Sequence, residues 1–155
     1  MSKQHNYKTT ITWTGNRGEG TRTYKGYDRS HTVSVVNKPD IHASSDPAFN
    51  GDASKYNPEE FLLMSLSSCH MLWFLHLCAD NGIVVTDYAD EATGIMVEST
   101  TGGHFTEAVL HPAVTITDAH LIDKANALHA EAHKRCFIAN SCNFPIRHQP
   151  VCIAG

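Results

Sequence analysis

The chain has 155 residues, of which 41% are hydrophobic and 18% are charged. Such a composition is typical of an ordinary globular protein, and the length suffices for a hydrophobic core without disulfide support. The formal net charge of −4 gives no reason to expect nucleic acid or an anionic membrane as a partner. We therefore expect a single domain over residues 1–155.

The N-terminal residues MSKQHNYKTT contain no apolar run of the kind that a signal peptide needs, so we expect a cytoplasmic protein. The cysteine pattern agrees, because the number of cysteines is odd and no Cys-x-x-Cys pair occurs. We expect free or redox-active thiols rather than a disulfide framework. The cysteines are Cys69, Cys78, Cys136, Cys142 and Cys152.

The first third of the chain predicts an antiparallel meander. Residues 7–14 alternate between polar and apolar side chains, and residues 21–27 and 31–36 are further strand candidates. A glycine-rich turn around Arg17 separates the first two strands. Residues 38–56 show no clear period and predict a long loop, which we expect to cover something near the helix that follows.

The longest apolar segment, residues 57–82, predicts the helix around which the chain is organised. Asn57 can cap it, Pro58 fits the first helical position, and Glu60 completes a capping box. Gly82 is a suitable end. Because the segment is apolar on nearly every face, we expect the helix to be buried on nearly every side. Serines and histidines interrupt it, which favours a core helix over a membrane span.

The second half of the chain predicts strands and one more helix. Residues 83–86 and 94–98 read as short strands, and residues 104–117 as a longer strand interrupted by a proline. Apolar residues at helical spacing predict a one-faced helix over residues 118–135. A closing strand is expected over residues 145–153. The order of strands, helix, strands, helix and strand predicts an α+β fold.

Two cysteines share a distinctive setting. Cys69 lies in the middle of the apolar helix, and Cys136 ends the apolar stripe of the second helix. If these helices pack together, the two thiols could come within disulfide range, although both could equally be small core residues. A nucleophilic thiol also needs a cation nearby to lower its pKa. The candidate cations are Arg17, Arg22, Arg29 and Arg135.

Around these residues the sequence resembles the OsmC/Ohr family of thiol peroxidases. NPEEFLLMSLSSCHM (residues 57–71) is similar to the first cysteine motif of the family, and AHKRCFIANS (residues 132–141) to the second. NRGEGT (residues 16–21) is similar to its arginine turn. The resemblance implies antiparallel sheets around a long buried central helix. It also implies an intertwined homodimer with active sites at the subunit interface.

The resemblance further implies a mechanism without a metal or another cofactor. It makes Cys69 the peroxidatic cysteine and Cys136 the resolving cysteine, with Arg17 and Glu59 orienting each other and the thiolate. Cys69 would reduce an organic hydroperoxide or hydrogen peroxide, become a sulfenic acid and form a disulfide with Cys136. A dithiol, of lipoyl type in the family, would then reduce the disulfide.

The position of Glu59 leaves several arrangements open. Glu59 precedes Cys69 by ten residues, which is roughly 15 Å of rise in a straight helix, and it points about 80° away. A direct contact would require a bent helix. Otherwise an arginine bridges the gap, or the glutamate serves a site in a second subunit.

The chain departs from the family pattern at several positions, which indicates a divergent branch. His70 follows the first cysteine where phenylalanine is common, and Phe137 and Ala139 replace the usual proline and serine after the second. Cys142 lies six residues beyond Cys136 and could compete with it as the resolving thiol.

Two other functions stay open at this point. One is a non-catalytic redox-sensing or ligand-binding dimer of the same fold. The other is a metal-dependent thiol hydrolase that uses His129, His133 and Cys136, whose spacing would suit zinc. We expect His129 and His133 to lie on a solvated helix face instead, and we predict no metal site. Cys78 and Cys152 are expected to serve packing.

Overall fold

The structure is a computed structural model in which residues 3–155 are described. The chain divides into two compact units, the first ending at Phe61 and the second running from Leu62 to Gly155. Residues 3–155 contain two long helices and three three-stranded sheets, which confirms the predicted α+β class.

The N-terminal unit contains an antiparallel sheet of the strands β1 (Thr10–Trp13), β2 (His31–Ser34) and β3 (Ile41–Ala43), in that order. The strands predicted over residues 7–14 and 31–36 are therefore confirmed. The loop predicted over residues 38–56 was wrong in part, because it contains β3 and a short 3-10 turn, Pro47–Phe49.

The strand predicted over residues 21–27 was wrong, because this stretch consists of turns and bends. The guanidinium of Arg29 explains why. It donates to the carbonyl oxygens of Tyr24 and Tyr27 at 2.6 Å each and lies 4.4 Å and 4.2 Å from the centroids of their rings. A side chain thus occupies the backbone acceptors that a strand ladder would need.

Helix α1 (Pro58–Asp80) begins at the predicted capping box. The backbone N–H of Glu60 donates to Asn57 Oδ1 at 2.8 Å, and the backbone N–H of Asn57 donates to Glu60 Oε2 at 3.0 Å. Gly82 follows the helix with φ 68°, the left-handed conformation that ends helices. By length and composition α1 could cross a membrane, a property that core helices share.

Within one chain, α1 is less buried than its composition predicts. Its buried residues are Leu66, His70, Phe74, Leu77 and Cys78. They recur every three or four positions and so form one stripe, whereas Leu72 on another face is 62% exposed. The expectation of burial on nearly every side was wrong for the single chain, because this chain covers only one stripe of the helix.

The C-terminal unit has two sheets of related design. In each, an antiparallel pair is extended by a parallel third strand. One sheet has the order β4 (Val85–Asp90), β7 (Pro112–Ile116), β9 (Val151–Ala154). The other has the order β5 (Thr93–Ser99), β6 (Gly102–Leu110), β8 (Ile146–His148).

The strands predicted over 104–117 and 145–153 each divide between the two sheets. The first divides at His111, whose backbone N–H donates to Asp90 Oδ1 at 2.6 Å instead of to a ladder. The second divides before Val151, where Gln149 N–H donates to Leu110 O at 2.8 Å. Each division precedes a strand of the other sheet, so each of these two segments passes from the β5–β6–β8 sheet to the β4–β7–β9 sheet.

Helix α2 (Ile122–Arg135) follows a 3-10 turn, Ala119–Leu121, within the predicted range 118–135. It buries Ala125, His129 and Ala132. Helices α1 and α2 and the β4–β7–β9 sheet share a hydrophobic core. Its buried members are Phe74, Leu77, Cys78, Ile83, Val114, Ile116, Ala125 and Ala132.

Candidate active site

The C-terminal unit brings the two cysteines of interest together. Cys69 lies midway along α1 and is partly exposed, whereas Cys136 follows the last residue of α2 and is 1% exposed. The two thiols are neighbours, because Phe137, which follows Cys136, lines the same pocket as Cys69, and the Cys69 thiol contributes to a raised pKa of Cys136. The packing of α1 against α2 therefore brings two thiols near each other, although their residues are distant in sequence.

Cys136 remains a protonated thiol at neutral pH. Burial is the main reason, and together with the neighbouring Cys69 thiol it raises the pKa of Cys136 to about 11. The backbone N–H of Ala139 donates to Cys136 Sγ at 3.4 Å and opposes this shift in part. A protonated Cys136 can donate its S–H toward Cys69, so the pair is asymmetric, with Cys69 as the more accessible sulfur.

A pocket of about 460 Å³ opens beside Cys69 and lies wholly within the C-terminal unit. The lining is mostly apolar, with Trp73 and Phe137 packed edge to face, their ring centroids 5.6 Å apart. Polar groups are few. The remaining lining residues are Ser65, Ser68, Leu72, His76 and Ile138. An apolar pocket with a thiol in its wall suits a small organic molecule with one reactive polar end.

Of the four candidate cations, Arg135 lies in the same unit as the two thiols. Its guanidinium carbon is 5.8 Å from the centroid of the Trp73 ring, within the range of a cation–π contact. Trp73 lines the pocket, so Arg135 places a positive charge behind one of the pocket walls.

The other three candidate cations belong to the N-terminal unit. Arg17 forms a bidentate ion pair with Asp28, with its Nε donating to Oδ2 at 3.0 Å and its Nη2 donating to Oδ1. Arg22 pairs with Glu19 at 3.6 Å. Arg29 is held between two tyrosine rings. Arg17 is thus the one whose guanidinium is oriented by a bidentate carboxylate.

Glu59 lies in the first turn of α1, and its Oε2 is buried without a hydrogen-bond partner among the described residues. A buried carboxylate oxygen without a partner is unfavourable and calls for a donor. Within the N-terminal unit Arg17 instead pairs with Asp28. The expected mutual orientation of Arg17 and Glu59 therefore stays a prediction.

A buried pair of histidines lies between α1, which carries His70, and α2, which carries His129. His70 Nε2 and His129 Nδ1 are 3.0 Å apart, and both residues are at most 1% exposed. His148 stacks nearby, 5.6 Å from His70 between ring centroids. Burial lowers the pKa of His70 to about 4 and that of His129 to about 3, so both are neutral at pH 7.

The prediction that His129 and His133 lie on a solvated helix face was wrong for His129. The ring of His129 stacks on Phe74 with centroids 3.9 Å apart, and its residue is fully buried. The spacing did contain a signal, because His129 lies four residues after Ala125 and so falls on the apolar stripe. His133 is partly buried and stacks near His148. Among residues 3–155, no group of three or more potential ligands is arranged to hold a metal ion.

The remaining cysteines are free thiols. Cys78 is buried in the core, and burial raises its pKa to about 11, which fits the expected packing role. Cys152 lies in β9 and packs against the same core. Cys142 follows a 3-10 turn, Ala139–Ser141, and is partly buried, which raises its pKa. Its competition with Cys136 stays a prediction.

These observations define a class of protein, namely an α+β protein with one thiol, Cys69, in the wall of an apolar pocket and a second, buried thiol, Cys136, near it. Residues 51–150 match the family of OsmC-like proteins. A solved OsmC-like protein of unknown function from Vibrio cholerae is 30% identical, with a TM-score of 0.86 over 96% of this chain and 100% of that one. The chain therefore belongs to the OsmC-like family.

More distant solved structures share the fold. An organic hydroperoxide resistance protein from Elizabethkingia anophelis is 17% identical, with a TM-score of 0.70 and full coverage of both chains. An organic hydroperoxide resistance protein OsmC from Legionella pneumophila is 16% identical, with a TM-score of 0.68 over 96% of this chain and 98% of that chain. No curated protein is significantly similar in sequence.

Proposed function

We propose that this protein is a cysteine-based peroxidase that reduces organic hydroperoxides or hydrogen peroxide. The proximity of the Cys69 and Cys136 thiols carries the proposal, because a disulfide-forming peroxidase needs two neighbouring thiols. The apolar pocket beside Cys69 supports an organic substrate. Two relatives of the same fold are named organic hydroperoxide resistance proteins, which agrees with this chemistry.

The proposed reaction has two steps in the protein. The Cys69 thiolate attacks one peroxide oxygen, the O–O bond breaks, and the leaving alkoxide takes a proton and departs as an alcohol. Cys69 is then a sulfenic acid. The sulfur of Cys136 attacks it, its S–H proton passes to the departing hydroxide, and water leaves as the disulfide forms. An external dithiol, of lipoyl type, reduces the disulfide by exchange.

In this proposal Arg17 and Glu59 serve the peroxidatic thiol. A guanidinium favours the thiolate and can donate to peroxide oxygens. The unpartnered Oε2 of Glu59 provides an acceptor that a guanidinium would satisfy. Arg135 is a second candidate for the cation, since it lies beside the pocket wall formed by Trp73.

A homodimer belongs to the same proposal. In the C-terminal unit, Leu72 on α1 is 62% exposed beside the pocket. In the N-terminal unit, Ile11 on β1 is 61% exposed and Trp13 is 43% exposed. Apolar side chains exposed on an element of each unit support burial against a second copy of this chain. We also propose one functional domain over residues 1–155 and a cytoplasmic location, which suits free thiols.

The test follows peroxide consumption and thiol oxidation together. With cumene hydroperoxide and a dithiol, we expect the wild-type protein to turn over, and one equivalent of peroxide without the dithiol to leave a Cys69–Cys136 disulfide detectable by mass spectrometry. Cys69→Ser should abolish peroxide consumption. Cys152→Ser, which removes a partly buried thiol from β9, is the matched control and should stay active.

Other outcomes would contradict the proposal in defined ways. A disulfide that forms once, without catalytic turnover in the presence of dithiol, would favour the redox-sensing alternative. A disulfide between Cys69 and Cys142 would replace Cys136 as the resolving thiol. Untouched thiols after peroxide treatment would leave a non-catalytic ligand-binding dimer as the better reading of the pocket.

A further inference from the structure

A hydrogen bond between two buried histidines joins the helices that carry the two thiols. His70 Nε2 and His129 Nδ1 are 3.0 Å apart, and which of them donates depends on the tautomers. His70 directly follows Cys69 on α1, and His129 lies on α2 seven residues before Cys136. Seven residues are close to two helical turns, so His129 lies on the face of α2 that leads to Cys136. The histidine bond and the thiol pair therefore belong to the same meeting of two helices.

The contacts around the histidines show where α2 crosses α1. Phe74 stacks on His129 with ring centroids 3.9 Å apart. Trp73 packs edge to face on Phe137, which directly follows Cys136, with ring centroids 5.6 Å apart. Because an α-helix rises 1.5 Å per residue, the part of α1 from residue 69 to residue 74 is only roughly 7.5 Å long. A shift of either helix by one residue would therefore change these contacts and the approach of the thiols together.

Apolar contacts fix such a crossing less strictly than a hydrogen bond does. The other buried residues of α2 are Ala125 and Ala132, whose side chains are small and smooth. Hydrophobic attraction has no direction, and apolar cores lose a unique arrangement before they lose stability. A hydrogen bond needs a defined distance and angle between two named atoms. The bond between His70 and His129 thus selects one register and one rotation of α1 against α2.

The histidine pair is present at a cost to stability. His70 Nδ1 and His129 Nε2 are buried and have no hydrogen-bond partner among the described residues. Two phenylalanine rings would avoid the cost of burying these nitrogens and could still stack. The best-attested use of a buried polar contact is to specify one packing arrangement, as single polar residues do in coiled coils.

We propose that the hydrogen bond between His70 and His129 positions the two thiols, because it fixes the crossing of α1 and α2 in the register that brings Cys69 near Cys136. The purpose of this positioning rests on the function proposed above, in which the two thiols form a disulfide. The histidines act through the helices and not on the substrate, so they are positioning residues. They keep the effective concentration of one thiol toward the other high.

The experiment measures this effective concentration by equilibrating the intact protein with reduced and oxidised glutathione. As the protein disulfide closes, the two thiols lose their protons and two electrons, and oxidised glutathione is reduced to two molecules of reduced glutathione. The ratio of disulfide to dithiol at known glutathione concentrations gives the effective concentration. Mass spectrometry of the linked peptides counts only the disulfide between Cys69 and Cys136.

The decisive variant carries His70→Phe and His129→Phe together. Both rings remain, whereas the hydrogen bond and the unpartnered nitrogens are lost. We expect the effective concentration to fall about tenfold, which raises the reduction potential by about 30 mV, since a 1 Å misplacement of reacting groups can cost about a hundredfold. The Tm at pH 7 should stay or rise, because apolar rings replace a buried polar pair. A purely structural role predicts the reverse, namely a lower Tm with an unchanged effective concentration.

Two further variants serve as controls. His120→Phe changes an exposed histidine in the turn before α2 and should keep the wild-type effective concentration. His70→Gln places an amide nitrogen near the position of Nε2, so it can restore the bond to His129. We expect this conservative variant to keep most of the effective concentration that the double variant loses.

Defined results would overturn the proposal. An unchanged effective concentration in the double variant would mean that apolar packing alone holds the thiols. A loss in His70→Gln as large as in the double variant would mean that the hydrogen bond is not the cause.

Because the measurement uses no peroxide, failure of the proposed function is distinguishable from failure of this inference. A wild-type protein that closes the disulfide between Cys69 and Cys136 with glutathione but consumes no peroxide would lose the proposed function, and the histidine variants would still decide the positioning role. If glutathione closes no such disulfide in the wild type, the positioning role is wrong, whatever the peroxidase activity.

Discussion

At the scale of single residues, the two cysteines show how the surroundings give two chemically identical thiols different properties. Cys136 is buried and keeps its proton, because burial disfavours the charged form. Cys69 sits on a partly exposed face of α1 and lines the pocket. A molecule entering the pocket therefore reaches the sulfur of Cys69, whereas the sulfur of Cys136 is buried and keeps its proton.

The His70–His129 pair raises a different question, which is how two titratable rings can be fully buried. In the neutral pair one ring donates and the other accepts, so each ring retains one nitrogen without a partner within residues 3–155, His70 Nδ1 and His129 Nε2. One of these is an N–H and the other a lone pair, whichever tautomers are present. The groups that face His70 electrostatically are His148, His133 and Asp90.

We predict that this pair makes stability fall in mild acid. Above pH about 6.5 the histidines are neutral in both the folded and unfolded states. Below it the unfolded chain takes up protons that the buried rings accept only near pH 4 or lower. The free energy of unfolding should therefore decrease between pH 6.5 and 4, by about 1.4 kcal/mol per pH unit for each histidine.

Urea unfolding across this pH range measures the effect. A His129→Phe variant, with a ring that can still stack on Phe74, should show a shallower slope of stability against pH. His120→Phe changes an exposed histidine and should keep the wild-type slope. A wild-type slope in His129→Phe would show that the buried pair is not the source.

At the scale of elements, the start of α1 was predictable because the relevant contacts are local. The capping box joins Asn57 and Glu60, which are three residues apart, and both of its hydrogen bonds are present. The strand expected over 21–27 failed for the opposite reason. There the side chain of Arg29 takes the backbone acceptors, and no pattern of apolar residues reveals that.

We predict that Asn57→Ala destabilises the protein by about 1 kcal/mol, the typical cost of losing an N-cap side chain. The variant removes the acceptor for the backbone N–H of Glu60. Urea unfolding at pH 7 measures the loss. Asn140→Ala, which removes an exposed side chain bonded to the carbonyl of Lys134 at the end of α2, is the comparison and should cost less. An unchanged unfolding midpoint in Asn57→Ala would mean that packing alone starts the helix.

At the scale of the whole molecule, a single chain leaves much of the apolar surface of α1 exposed. The helix is 23 residues long, and its buried positions form one stripe. The sequence predicted burial of the helix on nearly every side, and the structure of one chain buries it on one side. Burying the rest requires another surface, and the family resemblance already implied a second copy of the chain.

We predict that the protein is a homodimer in solution, with twice the 17.1 kDa mass of the chain by analytical ultracentrifugation. Leu72→Glu should shift the equilibrium toward monomer, because it places a charge on an apolar helix face that the dimer would bury. Val36→Glu is the control, since Val36 is 80% exposed in a turn after β2. A monomer at micromolar concentration would contradict the interface.

The sequence by itself determined the features whose causes lie within a few residues of the chain. These are the cap and end of α1, the one-faced α2, the alternating strands and the family motifs around Cys69 and Cys136. Local hydrogen bonds and periodic burial produce such signals, so they can be read without knowing the fold.

Only the tertiary structure decided which distant groups meet. It placed the thiols of Cys69 and Cys136 near each other, buried His129 against His70, and paired Arg17 with Asp28. It also divided two predicted strands between two sheets. These outcomes depend on how helices and strands pack against one another over long sequence separations. Sequences with the same local patterns could pack differently, so the local patterns do not determine these contacts.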